Sequence, residues 1–179
     1  MSGETPILPA SPSDPAVLEF IAAWGLPDAP ILLPYSDVGA GYGSDWCHVS
    51  SKAHAMRHGG RRVHGWALWY YEGAGVMGNF HSIWEDPDGV LVDVTPPKFQ
   101  RTEVMFVRDR EASIVSSGGS FVMPQNRMAI PVPIHVGVFD GAPTDSPSWL
   151  QPCTAPAFLE YCRSHSLAVT DYATDAVRG

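Results

Sequence analysis

The stretch Asn79–Pro96, NFHSIWEDPDGVLVDVTP, constrains this chain more than any other. Two segments of alternating side-chain character flank Asp86-Pro87-Asp88-Gly89. Proline presets φ near about -65° and glycine accepts a positive φ, which suits a type I turn followed by a glycine bulge. The stretch therefore predicts a β-hairpin. Phe80 and Trp84 share one face with Val90, Val92 and Val94, and this face reads as core. His81, Ile83 and Glu85 share the other with Leu91, Asp93 and Thr95. A three-residue loop, Pro87–Gly89, makes His81 and Asp93 diagonal neighbours. One residue more or fewer puts them on opposite faces.

An imidazole held by a carboxylate is half of an acid–base site. Cys47 is the candidate for the other half. A helix is predicted from Ser44–Cys47 to about His58, closed by Gly59-Gly60. Ser44 or Asp45 can cap it, and Val49, Ala53 and Met56 form its buried stripe. Cys47 then lies in the first turn, where exposed N–H groups and the helix dipole favour a thiolate. The alternative for Cys47 is a small buried thiol. For the two halves to meet, this helix is expected to pack on the His81 face of the sheet.

The remaining chain reads as scaffold. Residues 1–13, rich in proline and small residues, are expected to be a mobile tail, and 170–179 to fray. Residues 14–169 form one domain on this reading. Asp14 caps a helix with Pro15 at its first position, Val17, Phe20, Ile21 and Trp24 on its buried face and Gly25 as its stop. Ile31–Leu33, Arg61–Tyr71, Glu103–Arg108, Phe121–Met123 and Ile130–Phe139 read as strands, the last two confined to edges or ends by prolines. GAGVMG before the hairpin, Ser116–Ser120 and residues 141–152 read as loops, and Ala155–Ser166 as a helix. The loop with Gly39, Gly41 and Gly43 lacks the lysine and spacing of a phosphate- or dinucleotide-binding loop.

Composition excludes several classes. A net charge of -8 without a basic run argues against nucleic acid. No apolar stretch reaches the roughly 20 residues that cross a bilayer. The first residues lack the features of a secretory signal, so a cytoplasmic location is expected. Cys47, Cys153 and Cys162 are an odd set with no zinc-like doublet.

Metal ligation has a weaker pattern. His54 and His58 stand at i, i+4, with Cys47, His48 and His64 as further possible ligands. The helix lacks the glutamate of a metalloprotease, and the pair reads as a solvated helix face. Glu85, Asp86 and Asp88 lack a calcium-loop pattern and read as turn chemistry. No metal or cofactor is expected.

The segment Cys47–Pro96 resembles the core of the transglutaminase-like superfamily of papain-like cysteine enzymes. The order runs from Cys47 to Gly59-Gly60, then Arg62-Val63-His64-Gly65-Trp66, then HSIW from His81, then Gly89 and Asp93-Val94-Thr95-Pro96. It is also similar to small bacterial proteins of unassigned activity with a GW…FHxVW…DxTP signature. The resemblance implies an α+β, papain-like fold in which the cysteine helix packs on an antiparallel sheet. It implies a thioester at Cys47, with His81 as base and acid and Asp93 orienting it.

The expected function is cysteine-dependent acyl chemistry on an amide or ester of a small molecule, peptide or protein side chain. Hydrolysis, deamidation and transamidation share these steps. The Cys47 backbone N–H offers one oxyanion donor. Trp24, Tyr42, Ser44 or Trp46 can offer the second, and Asn79 lies on the His81 face. The usual upstream glutamine is absent. The competing expectation is a non-catalytic binding or zinc-binding module on the same fold.

Overall fold

The computed structural model describes residues 7–9, 11–71, 75–97, 101–128 and 148–175. Expectations for 1–6, 130–139, 141–147 and 176–179 lie outside them. The described elements are α1 (Pro15–Trp24), β1 (Ile31–Pro34), α2 (Cys47–His58), β2 (Arg61–Tyr71), β3 (Gly75–Glu85), β4 (Leu91–Val92), β5 (Glu103–Arg108), β6 (Val115–Ser117), β7 (Ser120–Pro124), β8 (Arg127–Met128), β9 (Ser148–Pro152), α3 (Pro156–Ser164) and a 3-10 turn at Val169–Asp171. The architecture is α+β, with antiparallel strand pairs.

The main sheet has the order β1-β5-β2-β3-β4, and β8 also pairs with β3. Its spine is the β2–β3 ladder, which runs without a break from Arg61↔Glu85 to Tyr71↔Gly75. That length explains why Gly75–Gly78 is strand rather than the expected loop: β2 offers every residue a partner. A smaller sheet has the order β6-β7-β9. Part of the expected 116–120 loop is therefore hairpin, turning on Gly118 and Gly119 at φ 58° and 80°. Ser148–Pro152, expected to be a connection, pairs along the whole of β7.

Local signals behave as chemistry dictates in α1. Asp14 Oδ1 accepts from the Ala16 N–H at 3.0 Å, and Gly25 closes the helix at φ 60°. Val17 and Phe20 are fully buried, but Trp24 is partly exposed beneath the Arg127 guanidinium. In α2, Val49 and Ala53 are buried as expected, whereas Met56 is 50% exposed. Its buried arc is filled by Ser50, Ser51, Lys52 and His54 instead.

The two sheet faces differ. Val76, Phe80, Trp66 and Leu68 join Val17, Phe20, Val49 and Ala53 in one core. Ile83, Val63, Ala67, Trp69 and Phe106 form another cluster on the opposite face. The helix α2 thus packs against the Phe80 and Ser82 side, not flat on the His81 side as expected. Ser51 Oγ donates to Ser82 O at 2.9 Å, and the His48 ring centroid lies 4.7 Å from that of Phe80.

The chain ends of the described region are tied down more firmly than composition suggests. Ile7 exchanges both backbone hydrogen bonds with Tyr70. Tyr172 is 2% exposed between Phe121 and Phe158. The buried Arg62 side chain donates from Nε to Asp175 Oδ1 at 2.7 Å and from Nη2 to Tyr172 O at 2.7 Å. Lys52 Nζ donates to Thr174 O. Residues 170–175, expected to fray, are packed in the structure by an aromatic plug and two buried cations.

Candidate active site

The hairpin adopts the three-residue register. Glu85 faces Leu91, Trp84 faces Val92, and the Asp86 N–H donates to Val90 O at 2.9 Å. Asp86 Oδ1 accepts from the N–H groups of Asp88 and Val90, and Gly89 takes φ 86°. The strand beyond is shorter than expected. Val90 is 55% exposed, and Asp93 leaves β4 to form a single parallel bridge with Tyr35.

This register brings His81 and Asp93 together. His81 Nε2 donates to Asp93 Oδ2 at 3.0 Å. Asp93 Oδ1 accepts from the Thr95 N–H at 3.0 Å, so both carboxylate oxygens are occupied and its rotamer is fixed. Because Nε2 carries the proton toward Asp93, the other ring nitrogen, Nδ1, is free for a nucleophile.

The Cys47 thiol is coupled to that ring: the side chains of both His81 and His48 act on it electrostatically. Among the described residues, β4 pairs with β3 at 84–85 and β8 at 77–78, leaving 79–83 without a paired strand on that side. The first turn of α2 lies against β3 in this stretch, with His48 beside Phe80 and Ser82. Gly65 stands directly opposite His81 in the ladder. A Cβ there would collide with Val107 O and come 2.6 Å from Phe106 Cζ. The bare Gly65 lets Phe106 tuck in near the His81 ring, at 6.4 Å between centroids.

Electrostatics follow from these contacts. Burial raises the Cys47 thiol, but the His48 and His81 charges and hydrogen bonds outweigh it and hold it well below its ordinary value. Burial pulls His81 down, but Asp93, and then Cys47, hold it well above its ordinary value. The pair favours thiolate and imidazolium at neutral pH. Cys162 behaves as a buried structural thiol, pushed up to about 11 by burial.

Behind Cys47 lies a polar chain that sequence reasoning did not assemble. His48 Nδ1 and Ser82 Oγ are 2.6 Å apart, and Ser82 Oγ and His64 Nδ1 2.8 Å. His64 Nε2 donates to Asp175 Oδ2 at 3.1 Å. Burial pulls His64 down to about 4, so this contact is a hydrogen bond from a neutral ring rather than an ion pair. Burial raises Asp175, but His64 and Arg62 draw it down to about 2. His48 and His64 carried a signal as nearby histidines, which was read as possible metal ligation. Asp175 carried none.

The other expected contacts are dispersed. Ser44 is exposed and lies outside α2, whose N-cap is Trp46 with no side-chain cap, so neither Ser44 nor Asp45 caps it. The Trp46 ring stacks on Tyr161 at 4.5 Å. The Tyr42 hydroxyl is hydrogen-bonded to His54 Nδ1 at 3.3 Å. Trp24 lines a separate cavity of about 510 Å3 whose lining includes none of Cys47, His81 and Asp93. Asn79 stands two residues before His81 on the same face, with Oδ1 buried and without a hydrogen-bond partner.

His54 is not on a solvated face. It is 5% exposed, edge-on to Trp84, and burial draws it down to about 4. Among the described residues, no group of three or more His, Cys, Asp or Glu side chains could hold a metal ion. Among them too, no helix is long and apolar enough to cross a membrane. No protein-family model matches the chain, and neither a curated protein nor a solved structure does.

Proposed function

We propose that the protein performs acyl chemistry on an amide or ester through a thioester at Cys47, on a transglutaminase-like, papain-like variant of its α+β fold. The observation that carries this reading is His81, hydrogen-bonded to Asp93 at 3.0 Å and electrostatically coupled to the Cys47 thiol. An isolated buried thiol would be inert. Here the thiolate is favoured, and the His81 imidazolium beside it holds the proton that must later go to the leaving group.

The steps balance simply. Cys47 Sγ adds to the carbonyl carbon, and the negative charge moves to the carbonyl oxygen. The Cys47 N–H, in the uncapped first turn of α2, is one donor for that oxygen. The tetrahedral species collapses to the thioester as His81 gives its proton to the departing amine or alcohol. Water or an amine then attacks the thioester, giving its proton to His81, and Cys47 leaves. Asp93 keeps the ring in one tautomer throughout.

The test is alkylation of Cys47 by iodoacetamide as a function of pH. The expected midpoint lies well below the ordinary thiol value of about 8.5, and His81→Ala moves it up. A midpoint near that value, unmoved by His81→Ala, overturns the nucleophile.

A further inference from the structure

The Cys47 sulfur faces two imidazoles, and the steps above use one. The second, His48, follows it in the chain, and its charge also acts on the thiol. What lies behind His48 decides which of its nitrogens can work.

The donors and acceptors can be assigned in order from the far end. The Asp175 carboxylate only accepts, so His64 Nε2 carries the hydrogen between them. A neutral His64 then has a lone pair on Nδ1. Ser82 has one hydroxyl hydrogen, and it is donated to that lone pair. Ser82 Oγ is left as an acceptor, so the hydrogen between it and His48 belongs to His48 Nδ1. Each bond fixes the next, and the chain ends in a carboxylate that Arg62 also clamps at 2.7 Å. Ser82 is fully buried, and the Phe80 ring stands 4.7 Å from His48 and 5.3 Å from His64, covering the middle of the chain. The same Arg62 donates from Nη1 to His48 O at 3.0 Å, so one side chain holds both ends of the chain in place.

We propose that His48 is a second acid–base group on the Cys47 sulfur, locked as its Nδ1–H tautomer by Ser82, His64 and Asp175 so that Nε2 is the working nitrogen. This rests on Cys47 being the nucleophile. His81 has a carboxylate at contact distance, whereas His48 reaches one through two neutral groups. The two bases are thus unequal by construction. His81 takes the thiol proton, and His48 Nε2, when it carries a hydrogen, donates it to the thiolate. Asp175 acts through the chain and is a positioning residue, as are Ser82 and His64.

Two measurements test this. Long-range proton–nitrogen NMR of imidazole rings in the whole protein reads the tautomer directly. His48 is expected as Nδ1–H, against the usual preference of free imidazole side chains, and Ser82→Ala is expected to release it. An Nε2–H tautomer for His48 in the wild-type protein overturns the proposal, whatever any variant does.

The second is the pH profile of iodoacetamide alkylation in His48→Gln, Ser82→Ala and Asp175→Asn. The groups that face Cys47 are His48, His81 and, from the C-terminal segment, Tyr172. His48→Gln is expected to slow alkylation below the midpoint by about tenfold for each unit that the thiol rises. Ser82→Ala and Asp175→Asn should move the profile the same way by less. A His48→Gln profile superposing on that of the wild type overturns the proposal while leaving the triad intact. Failure of the nucleophile itself reads differently: the wild-type thiol titrates ordinarily and His81→Ala changes nothing.

Discussion

His81 and Asp93 are 3.0 Å apart at their Nε2 and Oδ2 atoms, joined across a hairpin whose loop is Pro87–Gly89. The dyad depends on that loop because strand side chains alternate with a period of two. Deleting Asp88 leaves a two-residue connection and turns Asp93 to the opposite face. The deletion should leave the protein folded by circular dichroism and move the Cys47 alkylation profile up, as His81→Ala does. Asp88→Ala keeps the register and should leave the profile in place. A deletion variant with the wild-type profile would show that register does not set the dyad.

Charge and geometry at Asp93 can be separated. Asp93→Asn retains one acceptor oxygen, which can face His81 in place of the carboxylate, but it removes the charge that lifts His81. An opposite charge at this distance shifts an imidazole by about 1–3 units. Alkylation of Cys47 at pH 6 should slow roughly ten- to hundredfold, with melting temperature changed little. An unchanged rate would mean that Asp93 orients nothing of consequence.

The C-terminal segment is a structural part of the site. Tyr172 is wedged between Phe121 and Phe158, with ring centroids 4.6 Å and 4.9 Å away. Tyr172→Ala should cost about 3–5 kcal/mol, the range for deleting a large buried aromatic. Arg62→Met leaves Asp175 without its cation and should cost about 3–5 kcal/mol. Urea unfolding gives both values. A loss under about 1 kcal/mol for Tyr172→Ala, the scale of surface changes, would return this segment to the status of a loose end.

Much of the site was legible because it is local. The Asp-Pro-Asp-Gly turn fixes its own register, Gly59-Gly60 stops a helix, and Arg61–Tyr71 is β-branched and aromatic along its length. The motif Arg62-Val63-His64-Gly65-Trp66 takes on physical meaning only in three dimensions. Arg62 clamps the last described residues, Gly65 makes room for Phe106, and the Trp66 indole donates to Asp109 Oδ2 at 2.9 Å. Periodicity places Cys47 on a helix and His81 on a strand face. It says nothing about the stretch of β3 between its pairings with β4 and β8, which has no partner strand on that side among the described residues.

The residues that escaped are those whose partners lie far along the chain. Ser82 alternates with His81 and reads as filler until His48 and His64 arrive on either side of it. Asp175 lies 111 positions from His64 in a segment with a composition typical of disorder. Met56 misled for a different reason. Helical spacing points to a buried apolar residue there, while α2 buries Ser51, Lys52 and His54, each with a polar contact. A helix that buries polar groups has a reason at each position, and hydrophobic periodicity does not detect it.

The neutral state of His64 predicts a pH dependence of stability with a definite sign. Its folded value is about 4, against an ordinary 6.5. Between those limits the unfolded chain holds a proton on His64 that the folded protein does not. The contribution is complete above 6.5 and is lost as pH falls toward 4, with a slope of up to about 1.4 kcal/mol per pH unit. Asp175, depressed from 3.8 to about 2, contributes stability that is lost only in the lower window, as pH falls below 3.8. His54 shares the upper window, so the wild-type curve alone does not isolate His64. The difference between the wild type and His64→Gln does. His64→Gln should be less stable at pH 7 for want of its hydrogen bonds, and the gap should narrow between pH 6.5 and 4. Curves from urea unfolding that stay parallel across that window would mean that His64 is charged in the folded protein. The hydrogen assignment along Ser82 and His48 would then reverse.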